Sequence, residues 1–392
     1  MTRILHIIAS VNPKGGGPIE GILQQCRTAG FGEPRTIVSL DRPDDPWVLS
    51  CPVKVHALGD TVPHFYPFER YRYSRGYINW LKSNVEKFDI VVVNGLWNYT
   101  TFGAARVLPG AKVPYVVFSH GMLDPWFKRT YPLKHLAKQL LWFWGDGALM
   151  SHAAAVLFTA EEERLLARGQ FWGLSYRERV VEYGTSAPPP FESEMATEFS
   201  AAVPGLMGRS FLLYLSRIHK KKGGDLLIRA FAALADAHPQ LDLVMAGPGD
   251  PREIEKLQRL ARDLGVEARV YWPGMLRGAA KWGAFYLCEA FCLPSHQENF
   301  GIVVAEAMGC AKPVLISSRV NIWREIDAAR AGLVGPDTLE GTAGLLNGWL
   351  GLSDHAKAEY AANALSLFKE KFDSQVVNPR LEALYRELAN AQ

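Results

Sequence analysis

Short runs of β-branched and apolar residues alternate along the chain with longer stretches of helical pattern. The first series of short runs is Ile4–Ala9, Thr36–Leu40, Val53–Ala57, Ile90–Asn94, Tyr115–Ser119, Val156–Thr159 and Val180–Tyr183. A second series begins at Phe211–Leu215 and continues at Leu241–Ala246, Arg269–Trp272, Ala290–Leu293 and Val314–Ser317. Near-continuous apolar runs suit strands covered on both faces, and their alternation with helices predicts parallel sheets in an α/β protein. Between the series the chain breaks at Ala187-Pro188-Pro189-Pro190 and stays polar to about Arg209. The pattern therefore predicts two Rossmann-like domains, residues 1–190 and 210–373, joined by a linker at 191–209 and facing each other across a cleft. The last pattern, Ser374–Ala389, is amphipathic and occupies most of a C-terminal segment, 374–392.

Composition narrows the class without choosing a function. At 392 residues the chain is too long for one ordinary core. Hydrophobic residues make up 48% and charged residues 21%, as in soluble globular proteins. A net charge of +3, from 43 basic and 40 acidic residues, argues against a nucleic-acid partner. No apolar run approaches the length of a membrane span, and Ile4-Leu5-His6-Ile7-Ile8 reads as a first buried strand, not a secretion signal. Five scattered cysteines, Cys26, Cys51, Cys288, Cys292 and Cys310, fit reduced thiols in the cytosol, and Cys288 and Cys292 fit burial better than metal binding. The expected localisation is cytoplasmic.

The chemistry concentrates around two glutamates. Glu298 and Glu306 are separated by seven residues in Ser-His-Gln-Glu-Asn-Phe-Gly-Ile-Val-Val-Ala-Glu. The spacing puts Glu298 in a loop before a helix and Glu306 about two turns inside it. Between them, Phe300 and Gly301 mark a helix start whose backbone N–H groups attract anions, phosphate above all. Carboxylates beside such a start grip hydroxyls instead. A ligand with both a diphosphate and sugars, a nucleotide sugar, satisfies the two demands together.

Other segments are less specific alone. Lys14-Gly15-Gly16-Gly17-Pro18 follows the first strand and lets backbone approach an anion, yet it lacks the dinucleotide fingerprint and the Lys-Ser/Thr ending of a P-loop. Ser216-Arg217-Ile218-His219-Lys220-Lys221-Lys222-Gly223-Gly224 follows the first strand of the second series. Its cations suit phosphate, with Lys221 and Lys222 both open as the second one. His120-Gly121-Met122-Leu123-Asp124-Pro125-Trp126 follows another strand end, and Ala246-Gly247-Pro248-Gly249-Asp250 and Trp272-Pro273-Gly274-Met275-Leu276 end two more. Residues 126–144 interleave Lys and Arg with aromatics and leucines, as do Arg70, Arg72, Arg75 and Lys82 with Tyr71, Tyr73, Tyr77 and Trp80. That mixture suits an anionic membrane surface, or helices with one buried aromatic face.

Taken together the motifs resemble those of retaining GT-B glycosyltransferases, especially glycosyltransferase family four. The second-domain signature is Glu298, seven residues, Glu306, a small-residue helix and a turn into Pro313-Val314, with Ala311 where the family usually has Gly. Arg217 and Lys222 fall on the cationic positions of the family's Gly-Arg-Leu-x-x-x-Lys-Gly element, with Ser216 for the usual Gly. His120 to Trp126 resembles a segment of bacterial polysaccharide enzymes. The resemblance implies a catalytic set of His120, Arg217, Lys222 and Glu298. It implies donor contacts from Gly16, Gly17, Gly247, Gly274, Met275, Asn299, Phe300, Gly301, Ile302, Val303 and Glu306. It further implies a hexosyl donor such as GDP-mannose or a UDP-hexose, and a saccharide or lipid-linked oligosaccharide acceptor in exopolysaccharide, capsule or O-antigen synthesis. No cofactor and no metal are expected, in keeping with the absence of an Asp-x-Asp motif. The last helix is expected to return to the first domain. Val181-Glu182-Tyr183-Gly184-Thr185 departs from the Pro-Asn-Gly of many members. A nucleotide-sugar 2-epimerase of the same fold and a non-catalytic nucleotide-sugar-binding protein are the rival readings.

Overall fold

The structure, a computed structural model, describes residues 2–30, 35–60, 71–206 and 208–391. Arg70 lies outside them. The chain divides into two compact units, Met1–Tyr183 with Ser374–Gln392, and Gly184–Asp373. The division falls after Tyr183 and not at residue 190. Thr185 is already held in the second unit, its N–H donating to the Phe372 carbonyl at 2.9 Å. Tyr286 donates its hydroxyl to the Pro189 carbonyl at 2.7 Å, so the proline run is packed too.

Among the described residues the first unit holds a seven-stranded parallel sheet in the order β3-β2-β1-β4-β5-β6-β7. These strands are β1 (Ile4–Ile8), β2 (Arg35–Ser39), β3 (Lys54–Ala57), β4 (Ile90–Asn94), β5 (Tyr115–Phe118), β6 (Ala155–Phe158) and β7 (Glu178–Val180). Every residue of β1, β4, β5 and β6 is buried, which is why these strands read as unbroken apolar runs. Leu5, Ile7, Val91 and Val93 face one core, while Ile4, Ile90 and Val92 face another beneath the C-terminal helix Ser374–Asn390. Asn378 fastens that helix by donating to Thr28 Oγ1 at 2.9 Å, and Gln24 donates to Ser374 Oγ at 2.9 Å. Edge strand β7 starts two residues before the expected Val180. An edge needs no apolar outer side, so Glu178 pairs there with Arg164 at 2.8 Å and Arg168 at 2.6 Å.

The second unit holds a six-stranded parallel sheet, order β10-β9-β8-β11-β12-β13. Its strands are β8 (Ser210–Leu215), β9 (Leu241–Ala246), β10 (Val270–Gly274), β11 (Ala290–Leu293), β12 (Val314–Ser317) and β13 (Gly332–Gly335). β13 escapes the apolar pattern because two of its four residues are glycine. The stretch 191–209 is not a plain linker: it contains the helix Ser193–Ala202. Met195 and Phe199, four apart, bury one face of it against Gly283 of the helix Gly278–Leu287, and Phe199 stacks on Phe211 at 5.2 Å. Its polar composition hid two residues that suffice to bury a short helix.

In both sheets the strand order reverses beside the first strand, between β1 and β4 and between β8 and β11. Loops leaving the carboxyl ends of those neighbours run in opposite directions and leave a crevice, the usual ligand position in open α/β sheets.

Candidate functional site

In the second unit, the loop after β8 carries Arg217 and Lys222, and the loop after β11 carries Glu298 to Gly301. Parallel pairing of Phe291 with Leu213 brings these loops side by side. Lys222 ends a tight turn, Lys220–Lys222, and is buried, forming an ion pair with Glu298. Lys221 instead reaches Gln297 Oε1 at 3.2 Å, so of the two lysines it is Lys222 that meets Glu298. An ammonium has three donors, so pairing with Glu298 leaves Lys222 capacity for phosphate oxygens. Arg217 is exposed at the mouth of the same loop.

Glu298 is fixed along its backbone by a neighbouring strand end. Its N–H donates to the Arg319 carbonyl at 2.9 Å, and its carbonyl accepts from Asn321 N–H at 3.1 Å. Its carboxylate also accepts from the Asn299 N–H at 3.1 Å, and Asn321 holds the Asn299 side chain at 3.2 Å. Phe300 is buried against Phe372, with ring centroids 5.6 Å apart. Gly301 turns the chain with φ +74 and opens the helix Ile302–Gly309 without a side-chain cap. A β-carbon there would be strained by that φ whatever the space around it. The first N–H groups, at Ile302 and Val303, therefore point out of the helix toward the loop, where an anion is favoured. Glu306 is the fifth residue of this helix, so it lies one turn in, not two. It is buried and meets Lys281 Nζ at 2.7 Å.

Gly247 and Gly274 stand at the ends of β9 and β10. The Gly247 N–H donates to the Gly274 carbonyl at 2.7 Å. A β-carbon on Gly247, whose φ is +136, would lie 1.8 Å from the Ser216 carbonyl oxygen, so only glycine lets the loop carrying Arg217 pass. Met275 beside Gly274 is exposed. The turn after Glu306 explains the family's glycine. Ala311 has φ +55, with the Ala311 N–H on the Met308 carbonyl and the Lys312 N–H on the Ala307 carbonyl, both at 2.9 Å. A left-handed alanine costs about 1–2 kcal/mol, so Ala311→Gly should raise stability by about 0.5–1 kcal/mol after its unfolded-state entropy is counted. Urea unfolding of the two proteins measures the difference.

In the first unit, Gly16 (φ +77) precedes the helix Gly17–Ala29. Asp41 organises the loop before it, accepting from Ser10 Oγ at 2.5 Å, Val11 N–H at 2.6 Å and Arg72 at 3.0 Å. His120 follows β5 with φ +47, a strained value for a non-glycine residue. Its Nε2 lies 3.2 Å from Asn94 Oδ1. The Asn94 amide nitrogen is already turned to the Ile7 and Val92 carbonyls, at 3.3 and 3.2 Å. Oδ1 must then accept, so His120 carries its proton on Nε2 and presents Nδ1 as an acceptor. Burial holds this imidazole down to about 4, so it is neutral near pH 7. Tyr183 joins the two predicted regions of this unit: its hydroxyl donates to the Gly17 carbonyl at 3.0 Å and its ring meets the His120 ring edge-on at 6.3 Å.

Glu163, absent from the sequence reading, locks the His120 turn. One carboxylate oxygen accepts from Ser119 Oγ and Gly121 N–H, on either side of His120, both at 2.6 Å. The other accepts from Thr159 N–H and Oγ1, both at 2.7 Å. Glu163→Gln puts an amide NH₂ against donors and should lower stability by about 2 kcal/mol. Equal chemical-denaturation midpoints for the variant and parent would refute the lock. Lys281 has no local sequence signal, because Glu306 lies on a separate helix, and the Glu163 contacts to Ser119 and Gly121 likewise join separate elements.

The structure thus gathers Arg217, Lys222, Gly247, Gly274, Met275, Glu298, Asn299, Phe300 and Gly301 at the carboxyl ends of one sheet, with Ile302, Val303 and Glu306 on the helix that follows Gly301. Gly16, Gly17 and His120 lie at the carboxyl ends of the other. Residues 197–356 match the family model "Glycosyl transferases group 1", and residues 21–184 match "Glycosyl transferase 4-like domain". A D-inositol 3-phosphate glycosyltransferase of Corynebacterium jeikeium is 31% identical over 211 residues, 51% of this chain and 49% of that protein. The match spans about half the relative's length. Among solved structures, a sucrose-phosphate synthase of Thermosynechococcus elongatus superposes with a TM-score of 0.78 at 18% identity, covering 100% of both chains. Anabaena HepE, in complex with UDP and glucose, gives 0.77 at 17%, covering 99% of this chain and 100% of that one. At such identities these two show a shared fold, the GT-B arrangement of two Rossmann-like domains. With a family model on each unit and the signature residues gathered on the sheet ends, the chain belongs to the group 1 glycosyl transferase family.

Proposed function

We propose that the protein is a retaining, metal-independent hexosyltransferase that uses a nucleoside-diphosphate sugar, GDP-mannose or a UDP-hexose, and a saccharide acceptor. The observation that carries this reading is the Lys222–Glu298 pair set beside the uncapped helix start at Gly301. Cation and free N–H groups suit the diphosphate, and the carboxylate suits sugar hydroxyls. Glu306 takes the ribose hydroxyls, with its carboxylate held in place by the ion pair to Lys281. Backbone groups at Gly274 and Met275 take the base. Phe300 and Gly301 supply N–H groups to the donor sugar and phosphate, Asn299 holds the Glu298 carboxylate for the sugar, and Gly16 and Gly17 are further donor contacts. His120 Nδ1 accepts a hydroxyl of the transferring sugar and is too weak a base at neutral pH to be the proton acceptor.

In this scheme the bond from the anomeric carbon to the diphosphate oxygen breaks as the acceptor oxygen bonds to the same face of that carbon. The acceptor proton passes to the departing diphosphate oxygen. Charge grows on the diphosphate, so Arg217, Lys222 and the helix N–H groups stabilise the transition state more than the ground state. UDP in HepE supports the donor class. The acceptor is a saccharide or lipid-linked oligosaccharide of exopolysaccharide, capsule or O-antigen assembly. It is reached by a cytoplasmic protein held peripherally at the inner face of the cell membrane.

Thermal shift against UDP-, GDP- and ADP-sugars selects the donor, because a ligand bound only by the folded state raises Tm. NMR of the reaction mixture then reads the product. An α-linked glycoside from an α-linked donor supports the reading. Epimerised nucleotide sugar without acceptor would replace it with a 2-epimerase, and binding without turnover on any glycan with a non-catalytic binder.

A further inference from the structure

The helix Pro132–Trp142 buries one side in the first unit and presents a second apolar side to solvent. Its buried side is clear: Trp142 stacks on Phe171 at 4.7 Å, and His135 packs on the same ring at 4.5 Å. Lys138 lies over the Trp97 ring at 4.2 Å. The opposite side of a helix seated this way is ordinarily polar. Here Leu133, Leu136, Leu140, Leu141 and Trp144 line it, joined by Trp172, which exchanges two 3.1 Å hydrogen bonds with Gln139. All six are between 62% and 83% exposed. Leu133, Leu136, Leu140 and Trp144 recur at three- and four-residue steps, so they form a stripe and not scattered singles.

Charge identifies what covers this stripe. From Pro125 to Gly145 the chain has no acidic residue, and Lys128, Arg129 and Lys134 are exposed, while Lys138 belongs to the buried side. A second copy of the chain would oppose this basic patch to itself across a two-fold axis, and an ordinary protein surface offers carboxylates and hydrophobes in no such fixed layering. A bilayer surface does: anionic headgroups lie outside an apolar layer, and tryptophan and tyrosine favour the boundary. Tyr131, Trp144 and Trp172 are exposed beside or within the same segment and suit that boundary.

We propose that the exposed face of Pro132–Trp142 docks this protein on an anionic lipid bilayer, with its leucines in the acyl boundary and its cations among the headgroups. The helix begins twelve residues beyond His120, so the docked face belongs to the unit that carries that residue. The corresponding acceptor is a saccharide anchored to lipid. This acceptor claim rests on the transferase reading; the docking claim stands without it.

The test is flotation with vesicles of phosphatidylcholine alone or with a third phosphatidylglycerol, at low and high salt. The expected result is co-flotation with the anionic vesicles at low salt, reduced at least tenfold on neutral vesicles, in high salt, or in a Leu136→Asp/Leu140→Asp variant. Both positions are exposed, so the variant's Tm should match the parent's, and its transfer to a soluble acceptor should be unchanged. Absence of flotation at low salt overturns the proposal. So does undiminished flotation of the double variant, or a dimer in sedimentation that the double variant abolishes. If no acceptor is glycosylated while flotation behaves as expected, the transferase reading fails and the docking face remains.

Discussion

Lys222→Ala is expected to lower the transfer rate by about two to three orders of magnitude, the loss of ~3–4 kcal/mol seen when one preorganised donor to a developing anion is removed. The residue is buried at a loop end and spends one of its donors on Glu298. A compact ammonium placed there interacts with the diphosphate most strongly as negative charge accumulates on it, so kcat should fall more than KM rises. Removing it also leaves Glu298 without its cation, but Asn299 N–H still donates to that carboxylate at 3.1 Å and the residue is partly solvated. Because the pair is largely buried, the stability cost should be about 3 kcal/mol. Lys221→Ala is the natural control, since Lys221 engages Gln297 and should leave the rate within about twofold. Initial rates at saturating donor, with Tm measured alongside, separate these effects. A folded Lys222→Ala protein with parental kcat would remove Lys222 from the chemistry.

The second large effect is acid lability of the first unit. His6 lies in the middle of β1, fully buried, and neither ring nitrogen has a hydrogen-bond partner among the described residues. Burial, aided by the nearby Arg35 cation, holds its imidazole down to about 3, and burial alone holds His120 at about 4. Both rings are neutral in the folded chain and become cationic near pH 6.5 once unfolded. The unfolded state therefore takes up protons first as pH falls. Stability is fully present above about pH 6.5 and is lost progressively down to about pH 4, where His120 protonates in place, with His6 continuing toward pH 3. Each ring contributes a slope of about 1.4 kcal/mol per pH unit inside its window. Two such slopes are large against a total stability of ~5–15 kcal/mol. Urea titrations at pH 7, 5.5 and 4.5 should show the midpoint falling steeply. His6→Leu, which suits a strand buried on both faces, should remove about half of the histidine slope. A variant with the parental slope would show that His6 is not its source.

Much of the fold was legible because parallel strands covered on both faces are apolar throughout. That is why β4, β5 and β9 could be located closely from Ile90–Asn94, Tyr115–Ser119 and Leu241–Ala246. Where burial is one-sided or partial the pattern fades. β7 carries Glu178 and Arg179 because it is an edge, β13 is half glycine, and the helix Ser193–Ala202 buries little more than Met195 and Phe199. The segment 126–144 shows the same limit from the other side. Its residues were equally compatible with a buried aromatic face and an exposed apolar one, and the helix has both.

The sequence by itself determined the alternating architecture and the motifs that carry Glu298, Glu306 and Arg217, because spacing along one element is a local property. Only the tertiary structure decided that Lys222, and not Lys221, meets Glu298. The same is true of Lys281 facing Glu306, of Glu163 clamping the His120 turn, and of the orientation of Asn94 that puts the His120 proton on Nε2. Each of these joins residues on separate elements. Parallel strand register and the reversal of strand order bring such residues together, and neither leaves a periodic trace in the chain.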